Sequence, residues 1–472
     1  MLFLSAAATG QTNLERFERQ LEQIQRDTRL LVDPDVPPEQ RSLIEYGGYF
    51  TFGFAAIDDV NQDTHILRQY DLVGYVRVNL DGVHEFFLRG RTTYRDFNAG
   101  ESFDGNGDDW VEPTLDRGHY RFDLRRMIAA YDGEVVPYNF VFQGGRQLVH
   151  WANGLVLSQE LDGGVIVLEY EPVSLEILAG VTRETTTDID SSRPGFDDDM
   201  RRGFYGGMLS VQATAKHRPY IYGLVQQDYN DDDVFVFGPT TTRFQYDSFY
   251  IGIGSRGSIT DNLAYGVELV YQGGSTLSNS FTVAGPIATA VTQTDDDISA
   301  AAADVQLDYL FNDPNNSRIS FEAIIASGDS DRLHTTNTFG GNRPGTTDHA
   351  FNAFGLLNAG LAFNPNISNI IIIRLGGSTF PLPDTDFVRR LQVGINLYGF
   401  FKLNSNAPID ETTATQSYLG FEADLYINWQ ITSDISLAIR YGVFFPGDAI
   451  RNSGANDGDH RHFFYTGVTF SF

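Results

Sequence analysis

The ten residues that end the chain constrain its fold most. Residues 463–472 read Phe-Phe-Tyr-Thr-Gly-Val-Thr-Phe-Ser-Phe. Phe464, Thr466, Val468, Phe470 and Phe472 fall on one face of a strand, and Tyr465, Gly467, Thr469 and Ser471 on the other. One face suits hydrocarbon and the other a wet lumen, as in the closing strand of a bacterial outer-membrane β-barrel. A soluble sandwich can also end on an alternating strand, so the rest of the chain has to decide.

Composition narrows the choice. The 472 residues include no run of 18 apolar side chains, which excludes a transmembrane helix. Phe (36) and Tyr (23) are abundant, as strands and interfacial aromatic girdles require. Cysteine is absent, which removes disulfide scaffolds and thiolate chemistry. A net charge of −29 argues against nucleic acid as a partner. The acid is clustered at 58–59, 108–109, 197–199, 231–233 and 295–297, between apolar segments, where solvated loops are the simplest reading.

Residues 1–10 resemble the tail of a secretory signal peptide. In residues 13–31, Leu14, Phe17, Leu21, Ile24, Thr28 and Leu31 step by three and four, predicting an amphipathic periplasmic helix able to bind an envelope partner or copies of itself. Residues 32–43, with Pro34, Pro37 and Pro38, form a stiff linker. From Ile44 onward the hydrophobic period becomes two. Strands are predicted over 44–57, 66–80, 83–97, 118–131, 138–148, 164–171, 173–183, 203–215, 218–229, 247–258, 263–273, 299–311 and 317–327, with others toward the C-terminus. Tight turns (79–82, 171–172, 260–262, 312–314) alternate with long acidic links such as 98–116 and 227–246. Short periplasmic turns and long external loops give a barrel that alternation.

The alternation also fixes the count. Nineteen strands can be drawn, but a single-chain bacterial barrel has an even number. Tracing back from the closing strand makes residues 354–363 surplus and assigns them to one long external segment, 328–369, long enough to enter the lumen as a constriction. The predicted fold is all-β: an 18-stranded antiparallel transmembrane barrel over residues 44–472, whose last strand pairs with its first.

Each strand then has a wet face. In the second and third strands Tyr70, Leu72, Val76, Val78, Phe86, Leu88 and Tyr94 are predicted to meet lipid. The inward set includes Arg77, Arg89, Arg91 and Arg95, with Arg121 and Arg125 from the fourth strand, making an arginine wall. Glu268, Asp304, Asp308 and Glu322 form an acidic wall roughly opposite, and late strands add Arg374, Lys402, Glu422, Asp424 and Arg440. The lumen is therefore expected to be polar and charged throughout, with a transverse field that guides solutes. Pairing between neighbouring strands, for example among Glu85, Arg121 and Asp123, is the alternative use of these charges. Lys216 and Lys402 are the only lysines, and arginine's fork suits carboxylate, so an anionic sugar or organic acid is the expected guest.

Asp104, Asn106 and Asp108 have the spacing of calcium ligands in an external loop, with Glu112 able to close a site. The Gly expected after the third ligand is Asp109, and no twelfth-position Glu follows, so an acidic loop without metal is the competing reading. The nine His are scattered, and neither a nucleophile elbow nor a zinc pattern occurs, so no enzyme is expected.

Three stretches carry a family resemblance: Gly145-Arg146-Gln147 followed by Leu161-Asp162-Gly163; Tyr-Gly-Val-Phe-Phe-Pro-Gly-Asp at 441–448; and the closing strand. Together they resemble the alginate export family of outer-membrane porins. The resemblance implies a monomeric, 18-stranded channel in the outer membrane of a diderm bacterium, set in lipid and lipopolysaccharide. It implies an arginine-lined lumen passing an anionic polysaccharide with no cofactor, and it adds Arg146 to the solute-guiding residues. The expected function is passive diffusion or export of hydrophilic, anionic solutes such as acidic saccharides. The alternative is a structural barrel linked to partners by its N-terminal helix.

Overall fold

The computed structural model describes residues 42–472 apart from 81, 104, 184, 198, 239, 285–286 and 455–457. The N-terminal segments at 1–10 and 13–31, and the linker up to residue 41, lie outside the described residues.

In chain order the strands are β1 (Ser42–Asp58), β2 (Thr64–Leu80), β3 (His84–Phe97), β4 (Asp109–Asp123), β5 (Tyr138–His150), β6 (Ser158–Tyr170), β7 (Val173–Thr182), β8 (Arg202–Val211), β9 (His217–Asp228), β10 (Val234–Phe237), β11 (Thr240–Arg243), β12 (Tyr246–Ser258), β13 (Leu263–Leu277), β14 (Phe281–Ala284), β15 (Ile287–Ala290), β16 (Asp295–Leu310), β17 (Arg318–Ala326), β18 (Ile370–Thr379), β19 (Leu391–Lys402), β20 (Tyr418–Gln430), β21 (Ile435–Pro446) and β22 (Arg461–Ser471). β10–β11 and β14–β15 are small hairpins inside external links, and the other strands form one 18-stranded sheet. Every barrel pairing is antiparallel, and β1 closes on β22 in the register Tyr49↔Ser471 to Ile57↔Phe463. Closure leaves no free sheet edge, which hydrocarbon would not tolerate.

The outer face follows the sequence pattern. Leu72, Val76, Phe86, Leu88 and Tyr94 are exposed, as a lipid-facing band requires. Exposed aromatics collect at both rims: Tyr46, Tyr138, Tyr170 and Tyr309 at the periplasmic end, Trp110, Tyr229 and Tyr418 at the other. Outward cross-strand pairs such as Phe52–Tyr70, with ring centroids 5.3 Å apart, tie neighbouring strands together.

Three expectations are corrected. First, the fourth strand runs from Asp109 to Asp123, not over 118–131. Its pairing with β3 shifts register twice, which breaks the alternation through the acidic residues and Pro113 that read as loop. Residues Leu124–Tyr131 are a periplasmic helix, capped by Asp123 Oδ1, which accepts from the Arg126 N–H at 3.1 Å. Leu124, Met127, Ile128 and Tyr131 carry helical spacing, so Arg125 leaves the wall.

Second, the lumen is not polar throughout. Its buried core includes Trp151, Leu155, Leu157, Phe204, Tyr222, Tyr250, Phe351, Phe354, Phe363, Tyr398, Phe400 and Phe444. Two external links fold inward to make it. One is the β5–β6 tongue (residues 151–157). The other is the long β17–β18 segment, where residues 354–363 indeed add no wall strand. The two join backbone to backbone: Ser158 N donates to Phe354 O at 2.8 Å, Phe354 N to Val156 O at 2.9 Å, and Leu356 N to Gly154 O at 3.0 Å. Phe354 stands edge-on to Phe204 at 5.0 Å, and Phe363 stacks on Phe444 at 4.3 Å.

Third, the arginine wall does not face the acidic wall. The inserted segments stand between them.

Candidate functional site

What remains open inside the barrel is an off-centre cavity of about 1950 Å³. One side is strand wall from β1 to β4 and β21–β22, where period-two alternation presents every second side chain to the lumen. The other side is the inserted segment, from Asn352 to Leu357, with Ala359 and Asn364 to Ile367. The strand side, with the β7–β8 and β18–β19 links, carries the charge. The inserted side is apolar and amide only.

Of the expected solute-guiding arginines, Arg77, Arg89, Arg91 and Arg95 border the cavity. Each is paired. Arg77 Nη2 lies 2.7 Å from Glu85, with Glu45 at 3.4 Å. Arg89 Nε donates to Asp116 Oδ2 at 2.6 Å. Arg91 Nη2 donates to Asp71 Oδ1 at 2.8 Å, and the Thr93 hydroxyl donates to the same oxygen at 2.6 Å. Arg95 is 3.8 Å from Asp109. Neighbour pairing, the alternative use of these charges, is thus what the wall displays, and the lining as a whole carries seven arginines and eight carboxylates.

The other five do not border the cavity. Arg121 lies 3.8 Å from Asp123. Arg125, on the periplasmic helix, reaches Glu169 at 3.4 Å. Arg146 is held two-pronged by Asp162, with both contacts at 2.7 Å, and also donates to Leu115 O at 2.8 Å. Arg374 pairs with Glu322 at 2.7 Å. Arg440 donates to Ile439 O at 3.0 Å with its guanidinium over the Tyr426 ring.

The acidic wall serves as an anchor plate. Glu268 Oε2 accepts from the Asn153 N–H at 2.9 Å, and its other oxygen accepts from the Tyr222 hydroxyl at 2.5 Å. Asp304 accepts from Asn153 Nδ2 at 2.9 Å. Glu322 takes Arg374 and Gln306, and Asp308 takes Arg318 at 2.6 Å. None of these four carboxylates borders the cavity: Glu268, Asp304 and Glu322 are buried, and Asp308 pairs with the exposed Arg318 elsewhere on the wall. Glu422 accepts three consecutive amides of the inserted segment, Leu361, Ala362 and Phe363, at 2.5, 2.8 and 2.8 Å. A buried carboxylate so placed holds a loop rather than meeting a solute.

Other residues were missed. Arg117, Arg183 and Arg390 border the cavity. Arg117 fell in the stretch read as loop; allowing a bulge at Asp116 would have carried the alternation upstream to it. Asn153 gave no signal, since its two carboxylate partners are 115 and 151 residues away. Of the calcium candidates, Asp104 lies outside the described residues. Asp108 accepts from Phe97 N at 3.0 Å and from the Tyr94 hydroxyl at 3.2 Å. Among the described residues no group of three His, Asp or Glu is arranged to hold a metal ion.

A closed 18-stranded barrel with a lipid-facing apolar band, rim aromatics and a charged cavity narrowed by an inward segment is an outer-membrane porin channel of the Gram-negative envelope, not an enzyme. Residues 55–464 match the alginate export family model, and the chain belongs to that family. None of the curated protein sequences is detectably similar to it. Among solved structures the fold is similar to OccAB1 of Acinetobacter baumannii (10% identity, TM-score 0.52, covering 91% of this chain and 96% of that one). It is also similar to two Pseudomonas aeruginosa proteins. OccK11 (OpdR) matches at 10% identity and TM-score 0.51, covering 91% and 96%. OccK5 (OpdH) matches at 9% identity and TM-score 0.51, covering 92% and 98%.

Proposed function

We propose that this porin passes hydrophilic solutes by passive diffusion and that anionic ones, acidic saccharides among them, are its preferred guests. One observation carries the reading. The inserted side of the cavity carries no charge, so a solute passing it meets fixed charges only from the surrounding wall and links, most densely on β2–β4, where guanidiniums project from alternate positions. An ion-paired guanidinium has five N–H donors and spends two on a two-pronged carboxylate contact, so the wall retains hydrogen-bonding capacity toward a passing carboxylate. The roughly balanced charge of the lining favours modest selectivity over tight binding.

The test is planar-bilayer recording of the purified full chain under a salt gradient. Stepwise conductance with a reversal potential on the anion side is expected. Replacing Arg89, Arg91 and Arg95 together by Gln should move that potential toward the cation side. A chain that inserts without conductance steps, or a triple variant with unchanged selectivity, overturns the reading.

A further inference from the structure

The ladder between β4 and β5 is incomplete. The two strands pair from Gly118↔Arg146 to Asp123↔Val141 and no further. β4 begins at Asp109 and β5 runs on to His150, so the external part of each has no register partner in the other. Residues 109–113 are exposed at every position. Trp110 marks the external rim, so the edge below it, down to Arg117, descends into bilayer depth. Backbone without strand partners is tolerated there only where protein covers it or a water-filled cavity wets it. Here the cavity reaches it, for Val111, Glu112, Thr114, Asp116 and Arg117 all border that space. What crosses the gap is side chains. Arg146 Nη1 donates to Leu115 O at 2.8 Å, Arg183 Nη2 donates to Thr114 Oγ1 at 2.9 Å, and Arg117 Nε lies 3.4 Å from Glu160 on β6.

The outer face of the β5–β6 hairpin meets the cavity as well. Asp162, the register partner of Arg146, shares its face of β6 with the exposed Leu168. Two residues further up on that face come Leu148 and Glu160, also register partners, yet both border the cavity. The tongue accounts for this: it follows β5 directly and folds into the lumen, drawing the top of the hairpin away from β4. The resulting seam has an apolar lip outside. Leu88 and Leu115 are exposed there and close over Gly118, each 3.1 Å from where its Cβ would stand. Inside, Leu148 and Leu155 lie among the polar lining.

We propose that this seam is a lateral window holding the alkyl chain of an amphipathic solute, whose tail reaches the outer half of the bilayer while its polar head stays in the cavity. Only an amphiphile matches both sides: a fully polar solute gains nothing from the leucine lip, and a fully apolar one nothing from the wet lining. Arg146, gripped by Asp162 on both prongs, is the positioning residue at the foot of the window. The route runs across the wall instead of along the barrel axis, and so goes beyond the passage of hydrophilic solutes.

The chain has no cysteine, so a single bimane-labelled cysteine reports only its own site. The probe is phosphatidylcholine with a doxyl nitroxide on its acyl chain, in vesicles holding the full chain. Bimane at Leu148→Cys is expected to be quenched to the same extent as at Leu115→Cys on the outer lip. Bimane at Thr51→Cys, on β1 at the border of the cavity, is expected to keep its emission. Gln159→Cys, on β6 at the border of the cavity, is the second position if the first does not fold. Decyl maltoside, added below its solubilising concentration, should restore the emission at residue 148 while residue 115 stays quenched. Arg146→Gln should deepen the quenching at residue 148, and heat-dependent gel mobility reports that each variant keeps its barrel. Emission at residues 148 and 159 as high as at residue 51 overturns the window. Quenching that decyl maltoside does not relieve overturns the solute route and leaves a gap filled by membrane lipid. The readout needs no current, so the window stands or falls separately from the channel reading.

Discussion

The carboxylate of Glu422 accepts a hydrogen bond from the backbone N–H of Phe363 at 2.8 Å, 59 residues away in sequence. With Leu361 and Ala362 donating to the same group, one side chain on β20 fixes three successive amides of the segment that narrows the lumen. These amides have no strand to pair with, and a buried N–H without a partner is costly, so the segment stays where the carboxylate is.

Glu422→Ala should therefore release the inward segment. Losing an acceptor shared by three buried amides, at up to about 1–3 kcal/mol each, favours a rearranged segment over the native one. Single-channel conductance is expected to rise and become noisier, while the barrel keeps its heat-dependent gel mobility. Conductance equal to the parent would show that other contacts suffice.

Asn153 deserves the same test from the opposite side. Its amide N–H and its side chain bridge Glu268 and Asp304. Asn153→Ala keeps the first contact and loses the second, leaving Asp304 with Gln306. A loss of about 1–3 kcal/mol is expected in thermal unfolding, with a smaller rise in conductance than for Glu422→Ala.

The external β7–β8 link should respond to acid. Burial works against ionisation of Asp188, but Arg202 and Arg193 beside it outweigh burial and hold its carboxyl below the usual range. A depressed folded value stabilises above the unfolded value, about 3.9, and that stability is lost as pH falls through the folded value. The link should resist protease at neutral pH and loosen only below about pH 4. Asp188→Asn should loosen it at every pH, because two buried guanidiniums lose their shared anion, although Arg193 keeps Asp233 and Arg202 keeps Asp228. Limited proteolysis across 183–201 checks both.

Gly355 sits where the inserted segment meets the tongue. A Cβ there would lie 2.2 Å from the carbonyl oxygens of Gly154 and Leu155, which are backbone and cannot swing away. Gly355→Ala should separate the two inward links and lower the melting temperature, whereas Gly345→Ala, whose added methyl meets nothing but whose φ is +78°, should cost only the modest strain of that backbone conformation.

Much of the wall was legible in the sequence, and the reasons are local. Alternation needs no knowledge of partners: Leu72, Val76, Phe86 and Leu88 point outward whatever the register, and the closing strand's direction follows from counting turns. Where alternation broke, reading failed. The bulged β4 hid Arg117 and promoted Arg125, and a helix with spacing of three and four passed for a strand. Glu268, Asp304, Glu322 and Glu422 were rightly placed on inward faces, but inward did not mean solvent-facing.

By itself, then, the sequence determined a closed 18-stranded barrel and, wherever the alternation runs unbroken, its lipid face and which residues project inward, because a two-residue period and the alternation of short and long links are properties of neighbouring residues. Only the tertiary structure decided which inward residues border open space. That depends on where two external links go, and they are held by contacts spanning tens to more than a hundred residues, Glu422 to Phe363 and Asn153 to Asp304 among them. Packing of Phe354 and Phe363 against inward aromatics turned part of the lumen into core, and left the β2–β4 arginines on the charged wall of what remains.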